Sequence, residues 1–188
     1  DGQFSITTST LADNTYVLTV TATDAAGNPS SASSALNITV DTIAPAKPII
    51  TTTTSLTKDA TPTIEGTAEA GSTVELFNGE EILGKTTADE NNTFSITPTS
   101  ALSDGLNSLT VKATDAAGNT SAASDALSIT IDAKVPAKPT ITTTTTLTNN
   151  ARPTIEGTAE AGSRVELFNG NESLGTTTAD ENNTFSIT

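Results

Sequence analysis

The chain has 188 residues, 34% of them apolar, with 22 acidic against 8 basic side chains and a net charge of −14. It has no Cys and no His, which excludes disulfides, thiol chemistry and imidazole catalysis. Phosphate binding needs clustered Lys and Arg, so nucleic acid is a poor partner, and no apolar run reaches the ~20 residues that cross a bilayer.

Apolar and polar residues alternate with period two, the pattern of half-buried strands. In the central stretch, residues 47–51 follow Pro45 and predict strand A. Pro62, Ile64 and Gly66 alternate with Thr63 and Glu65 as strand B; Val74 and Leu76 lie in strand C. Asn78-Gly79 predicts a tight hairpin into strand C′ at Ile82 and Leu83, because both residues tolerate positive φ. Phe94 and Ile96 mark strand E; Leu109, Val111 and Ala113 mark strand F; Leu127, Ile129 and Ile131 mark strand G. The threonine tracts 51–54 and 142–146 read as exposed extended edges, with a low-complexity spacer as the competing reading. Seven short strands without a helical stripe predict an all-β, two-sheet antiparallel sandwich.

The pattern repeats. Pro-Thr-Ile-Glu-Gly-Thr-Ala-Glu-Ala-Gly-Ser starts at Pro62 and again at Pro153, and Ala-Thr-Asp-Ala-Ala-Gly-Asn occurs at 22–28 and at 113–119, both 91 residues apart. Residues 42–97 and 133–188 share 44 identities in 56 positions. The expected organisation is a tandem array: 1–41 the C-terminal part of one domain, 42–132 a complete domain, 133–188 the N-terminal part of a third. The chain reads as a window from a longer protein. Its two ends open the repeat at one point, since Phe4-Ser5-Ile6-Thr7 matches Phe185-Ser186-Ile187-Thr188. An arbitrary window explains this. So does head-to-tail completion of one copy by the next, which generates filaments.

Strand direction places the B–C, C′–E and F–G loops at the pole that faces the preceding domain. These loops carry Glu69, Asp89 and Asp115, and Asp41 descends onto them from the preceding strand G. Asp132, Glu160 and Asp180 repeat the set, and Asp24 is the F–G residue of the first unit. Gathered carboxylates repel, and a hard cation with six to eight oxygen ligands, Ca2+, relieves that. The competing reading leaves these residues as loop acids fanned into solvent. The linkers Asp41-Thr42-Ile43-Ala44-Pro45 and Asp132-Ala133-Lys134-Val135-Pro136 are short and end in Pro, which makes them stiff. Lys134 sets a positive charge beside the second proposed site.

The segments Ala22-Thr23-Asp24-Ala25-Ala26-Gly27-Asn28, Val40-Asp41-Thr42-Ile43-Ala44-Pro45 and Ile64-Glu65-Gly66-Thr67-Ala68-Glu69-Ala70-Gly71-Ser72 resemble the bacterial Ig-like repeats of giant adhesins and biofilm-associated surface proteins. The resemblance implies Ig-like sandwiches, an extracellular or cell-surface location, and Ca2+ at domain junctions with Asp24, Asp115, Asp41 and Asp132 as ligands. It points to a structural stalk whose partners are neighbouring repeats. The alternatives are a glycan- or host-binding module, for which Tyr16 and five Phe offer few stacking surfaces, and a head-to-tail filament subunit. An enzyme is disfavoured: no nucleophile–base pair exists, and Glu80-Glu81 sits at a hairpin tip.

Overall fold

Val74 and Leu76 turn inward from a strand whose Thr73 stays exposed, the alternation that a half-buried sheet imposes. The same rule gives the whole architecture of the computed structural model, which describes residues 2–188. Asp1, the first residue of the expected 1–41 segment, lies outside the described residues. The described residues form strands and no helix, so none is long and apolar enough to cross a membrane. One compact unit runs to Ala133; the second spans Lys134–Thr188.

In the first unit, β1 (Asn14–Leu18) and β2 (Leu36–Val40) pair antiparallel, with Tyr16 opposite Ile38. Eight strands follow: β3 (Ile49–Ile50), β4 (Leu56–Thr57), β5 (Ile64–Thr67), β6 (Thr73–Asn78), β7 (Glu81–Thr87), β8 (Thr93–Ile96), β9 (Gly105–Thr114) and β10 (Leu127–Ile131). They form a three-stranded sheet, β3-β5-β8, and a five-stranded sheet, β4-β10-β9-β6-β7. Ile64, Phe94 and Ile96 of the first sheet and Val74, Leu76, Leu109, Val111, Ile129 and Ile131 of the second belong to one buried core. The second unit repeats β3, β5, β6, β7 and β8 as β11 (Thr140–Ile141), β12 (Ile155–Thr158), β13 (Arg164–Asn169), β14 (Glu172–Thr178) and β15 (Thr184–Ile187), with no counterpart of β4 among the described residues. Ile155 lies opposite Ile187 just as Ile64 lies opposite Ile96. Its smaller core is Val165, Ala179, Phe185 and Ile187.

Three features depart from the expected seven antiparallel strands. Strand A is two strands. β3 pairs antiparallel with β5, the chain then crosses between sheets along the threonine tract, and β4 pairs parallel with β10. Thr52 eases the departure: the Glu65 amide donates to its Oγ1 at 2.8 Å, where a ladder carbonyl would otherwise stand. Strand F begins at Gly105, four residues earlier than the apolar pattern suggests. There the polarity is inverted: Asn107 is buried and Leu106 is exposed. Asn107 Nδ2 donates to the carbonyls of Ser103 and Gly105, and its Oδ1 accepts from Asn78 Nδ2. Finally, the chain returning to β10 is pinned by buried serines. The Ala113 and Val111 amides each donate at 3.0 Å, to Ser121 Oγ and Ser124 Oγ respectively. Ser30 and Ser33 serve Ala22 and Val20 in the same way.

Candidate functional site

The B–C, C′–E and F–G loops leave from one end of the sandwich, because Thr73 pairs with both Thr87 and Thr114. The B–C and C′–E loops are joined there by hydrogen bonds. Ala68 N donates to Asn92 O at 3.0 Å and Gly71 N to Ala88 O at 2.9 Å, while Asn92 Oδ1 accepts from Ala70 N. Asn92 takes a φ of 63°, a conformation asparagine tolerates. Asn183, also at 63°, repeats the bond to Ala161 N in the second unit.

Each aspartate of these loops braces its own turn. Asp115 Oδ1 accepts from the amides of Gly118 and Asn119 at 2.8 and 2.9 Å, and Oδ2 accepts from Asn119 Nδ2 at 2.8 Å. Asp24 holds Ala26 and Asn28 in the same manner. Asp89 Oδ1 accepts from the Asn91 and Thr93 amides, and Oδ2 from Thr93 Oγ1. Asp180 repeats this with Asn182 and Thr184. Glu69 and Glu160 enter through their carbonyls, which accept from the amides of Ser72 and Ser163. Asp41 Oδ1 accepts from Ile43 N at 3.0 Å, and Asp132 N donates to Thr57 O.

The loops and the linker therefore meet, while the carboxylates stay apart. Among the described residues no three acidic side chains come together as a metal cage, and no buried side-chain polar atom lacks a partner. Asp41 and Asp115 come nearest to a shared site, through Asn119, whose Nδ2 donates to Asp41 O at 3.0 Å and to Asp115 Oδ2. The donors are hard oxygens of the kind Ca2+ takes. Glu80 and Glu81, the adjacent carboxylates of the hairpin, are both exposed.

Four residues carry structural weight that the alternation did not reveal: Asn119 and Asn28 in their F–G turns, and Asp13 and Asp104 just before β1 and β9, at the opposite pole of their repeats. Asp13 Oδ1 accepts from Thr42 N and Thr42 Oγ1, and Asp104 Oδ1 accepts from Ala133 N. Their recurrence at the 91-residue period was the available signal.

The Asn119 side chain holds the Asp115 carboxyl below the ordinary aspartate range, and the Asn28 side chain does the same for Asp24. The amides of Thr93 and Thr184 lower Asp89 and Asp180. A carboxyl depressed in the folded state favours folding above its unfolded value, and this support is lost as pH falls through the folded value. Acid should therefore weaken the fold progressively below about pH 4. Carboxyl shifts followed by NMR should place these four aspartates below the ordinary aspartate range. Asn in place of Asp115 should flatten the acid limb of the stability curve.

A family model described as "Bacterial Ig-like domain" matches residues 1–42 and 50–133. Exoglucanase B of Cellulomonas fimi is 31% identical over 89% of this chain, and chitinase A1 of Niallia circulans is 34% identical over 63%. The matched regions are 17% and 18% of those proteins, so the chain spans less than a fifth of either. Similar solved structures include a tetra-tandem repeat in the extending region of a large adhesion protein, at 20% identity and a TM-score of 0.41, covering 94% of this chain and 48% of that one. The BSP domain of a biofilm-associated protein is 23% identical, with a TM-score of 0.35, over 75% of this chain and 24% of that one.

Proposed function

The chain belongs to the bacterial Ig-like domain family, and from that premise we propose that it is an extender segment of an extracellular bacterial protein, an adhesin or surface fibre. Successive sandwiches joined by short proline-ended linkers set a functional tip at a distance. The observation that carries this reading is the end of the 42–132 repeat. Its B–C and C′–E loops brace each other, and its F–G loop grips the incoming linker. Of the five Phe, Phe94 and Phe185 are buried, Lys112 Nζ lies 5.5 Å from the centre of the Phe77 ring, and Phe4 and Phe168 are exposed.

Calcium belongs to this proposal as a stiffener of the junction, drawing on Asp41, Asp115 and the Asp41 carbonyl. Small-angle scattering of the full chain, in chelator and in millimolar Ca2+, tests both parts. A compact globule of this length has a radius of gyration of about 16 Å, and an extender must lie well above it in both conditions. A value near the globular one removes the spacer reading. A melting temperature unmoved by Ca2+, in the wild type and in Asp41→Asn alike, removes the metal.

The head-to-tail alternative has its own observation. Val17, Leu36 and Ile38 of β1 and β2 are exposed, as are Phe168 and Leu174 of the second unit. In the complete repeat, β9 and β10 pack their apolar residues into the common core. Another copy's β1–β2 hairpin would take the place of β9–β10 on the second unit. Light scattering decides: assembly that grows with concentration supports this reading, and a strict monomer removes it.

A further inference from the structure

We infer that linker 41–45 is already held in chelator by side chains of the two repeats it joins, Asp13 from one side and Asn119 from the other, so that any bound ion adds to this clamp rather than creating it. This rests on the spacer reading and names what sets the angle between the first two repeats.

Each partner takes a different part of the linker. Asp13 Oδ1 accepts from Thr42 N at 3.1 Å and from Thr42 Oγ1 at 2.8 Å, across 29 residues of sequence. Asn119 Nδ2 donates to Asp41 O at 3.0 Å, across 78 residues. Between them, Asp41 Oδ1 accepts from Ile43 N, and Pro45 is buried. The Asp41–Thr42 peptide unit is thus held at both its polar ends, its N–H by one repeat and its C=O by the other, which fixes the orientation of that plane between them.

Asn119 is set for this before it meets the linker. Its backbone amide and its side chain both donate to the Asp115 carboxylate, so little rotamer entropy remains to be lost. Asn28 makes the same two bonds to Asp24, which shows the turn closing by itself. Gripping the linker is therefore an added task of Asn119. At the start of the next linker Ala133 N donates to Asp104 Oδ1, but Ala133 has no hydroxyl for the second bond. Thr42→Ala should reproduce that weaker form.

Residual dipolar couplings of the full chain test the inference, recorded first in excess chelator and then in Ca2+. In wild type, the amides of 14–40 and of 49–131 should share one alignment tensor in chelator. Asn119→Ala and Asp13→Ala should each lower the alignment of 14–40 by about twofold. Asn28→Ala should leave it unchanged, and Asp13→Asn, which keeps the acceptor, should restore it. Exchange at the Thr42 amide should run about fivefold faster in Asp13→Ala, as for one lost side-chain bond. Variants that keep the wild-type alignment with native spectra overturn the clamp alone. A wild type that stiffens only with Ca2+ overturns the clamp and credits the ion. Independent tumbling in both conditions removes the spacer reading itself.

Discussion

Gly66→Ala should lower the stability of the 42–132 repeat by about 3 kcal/mol and its melting temperature by roughly 15 °C. Gly66 lies buried in β5, beneath the Phe94 ring and against the Ile49 carbonyl. A methyl added there would stand 2.5 Å from Phe94 Cζ and 2.6 Å from Cε1, closer than carbon atoms approach without displacement, and it would collide with the Ile49 oxygen. Neither neighbour can yield cheaply. Phe94 is 4% exposed and locked into the core, and the Ile49 carbonyl belongs to the two-residue strand β3. Relief means expelling the ring or detaching β3. Gly84, whose added carbon would meet Ile96 at 3.2 Å, should tolerate alanine much better. Calorimetry of both variants checks this, and equal melting temperatures would refute the steric account.

Leu76→Ala should cost about 3 kcal/mol, and Leu167→Ala, the same change one repeat later, about 1 kcal/mol. Leu76 is fully buried inside the sandwich, so truncation leaves a void that close-packed neighbours cannot fill. Leu167 only borders its cluster and loses less when shortened. Denaturant titration with a probe in each unit separates the two losses. Equal losses would mean that the Leu167 site is covered in solution, and would favour association of copies.

Most strands were legible because they obey one rule, apolar inward and Thr outward. Val74 and Leu76, Leu109 and Val111, and Ile129 and Ile131 could be assigned without coordinates. The rule fails where a polar group takes an inward position. Asn107 hides the start of β9, and Ser121 and Ser124 hide the stretch that substitutes hydroxyls for a ladder. The passage of strand A between sheets was hidden for another reason. A run of threonine suits an extended edge and a crossing equally, since both need an open backbone with polar side chains. At the acidic end, strand direction sufficed to bring the loops to one pole. It could not say what each carboxylate faces. An aspartate at the start of a turn has the same sequence context whether it turns to its own amides, as Asp115 and Asp89 do, or to an ion.

The parallel pairing of β4 with β10 also governs how the repeat answers tension. Thr130 N and Asp132 N donate to the carbonyls of Ser55 and Thr57, so the early and late segments of the repeat run side by side in one direction. Traction on its two termini slides these segments past each other and loads both bonds simultaneously. Rupture is then a single shearing event, where a hairpin-like edge would peel one bond at a time.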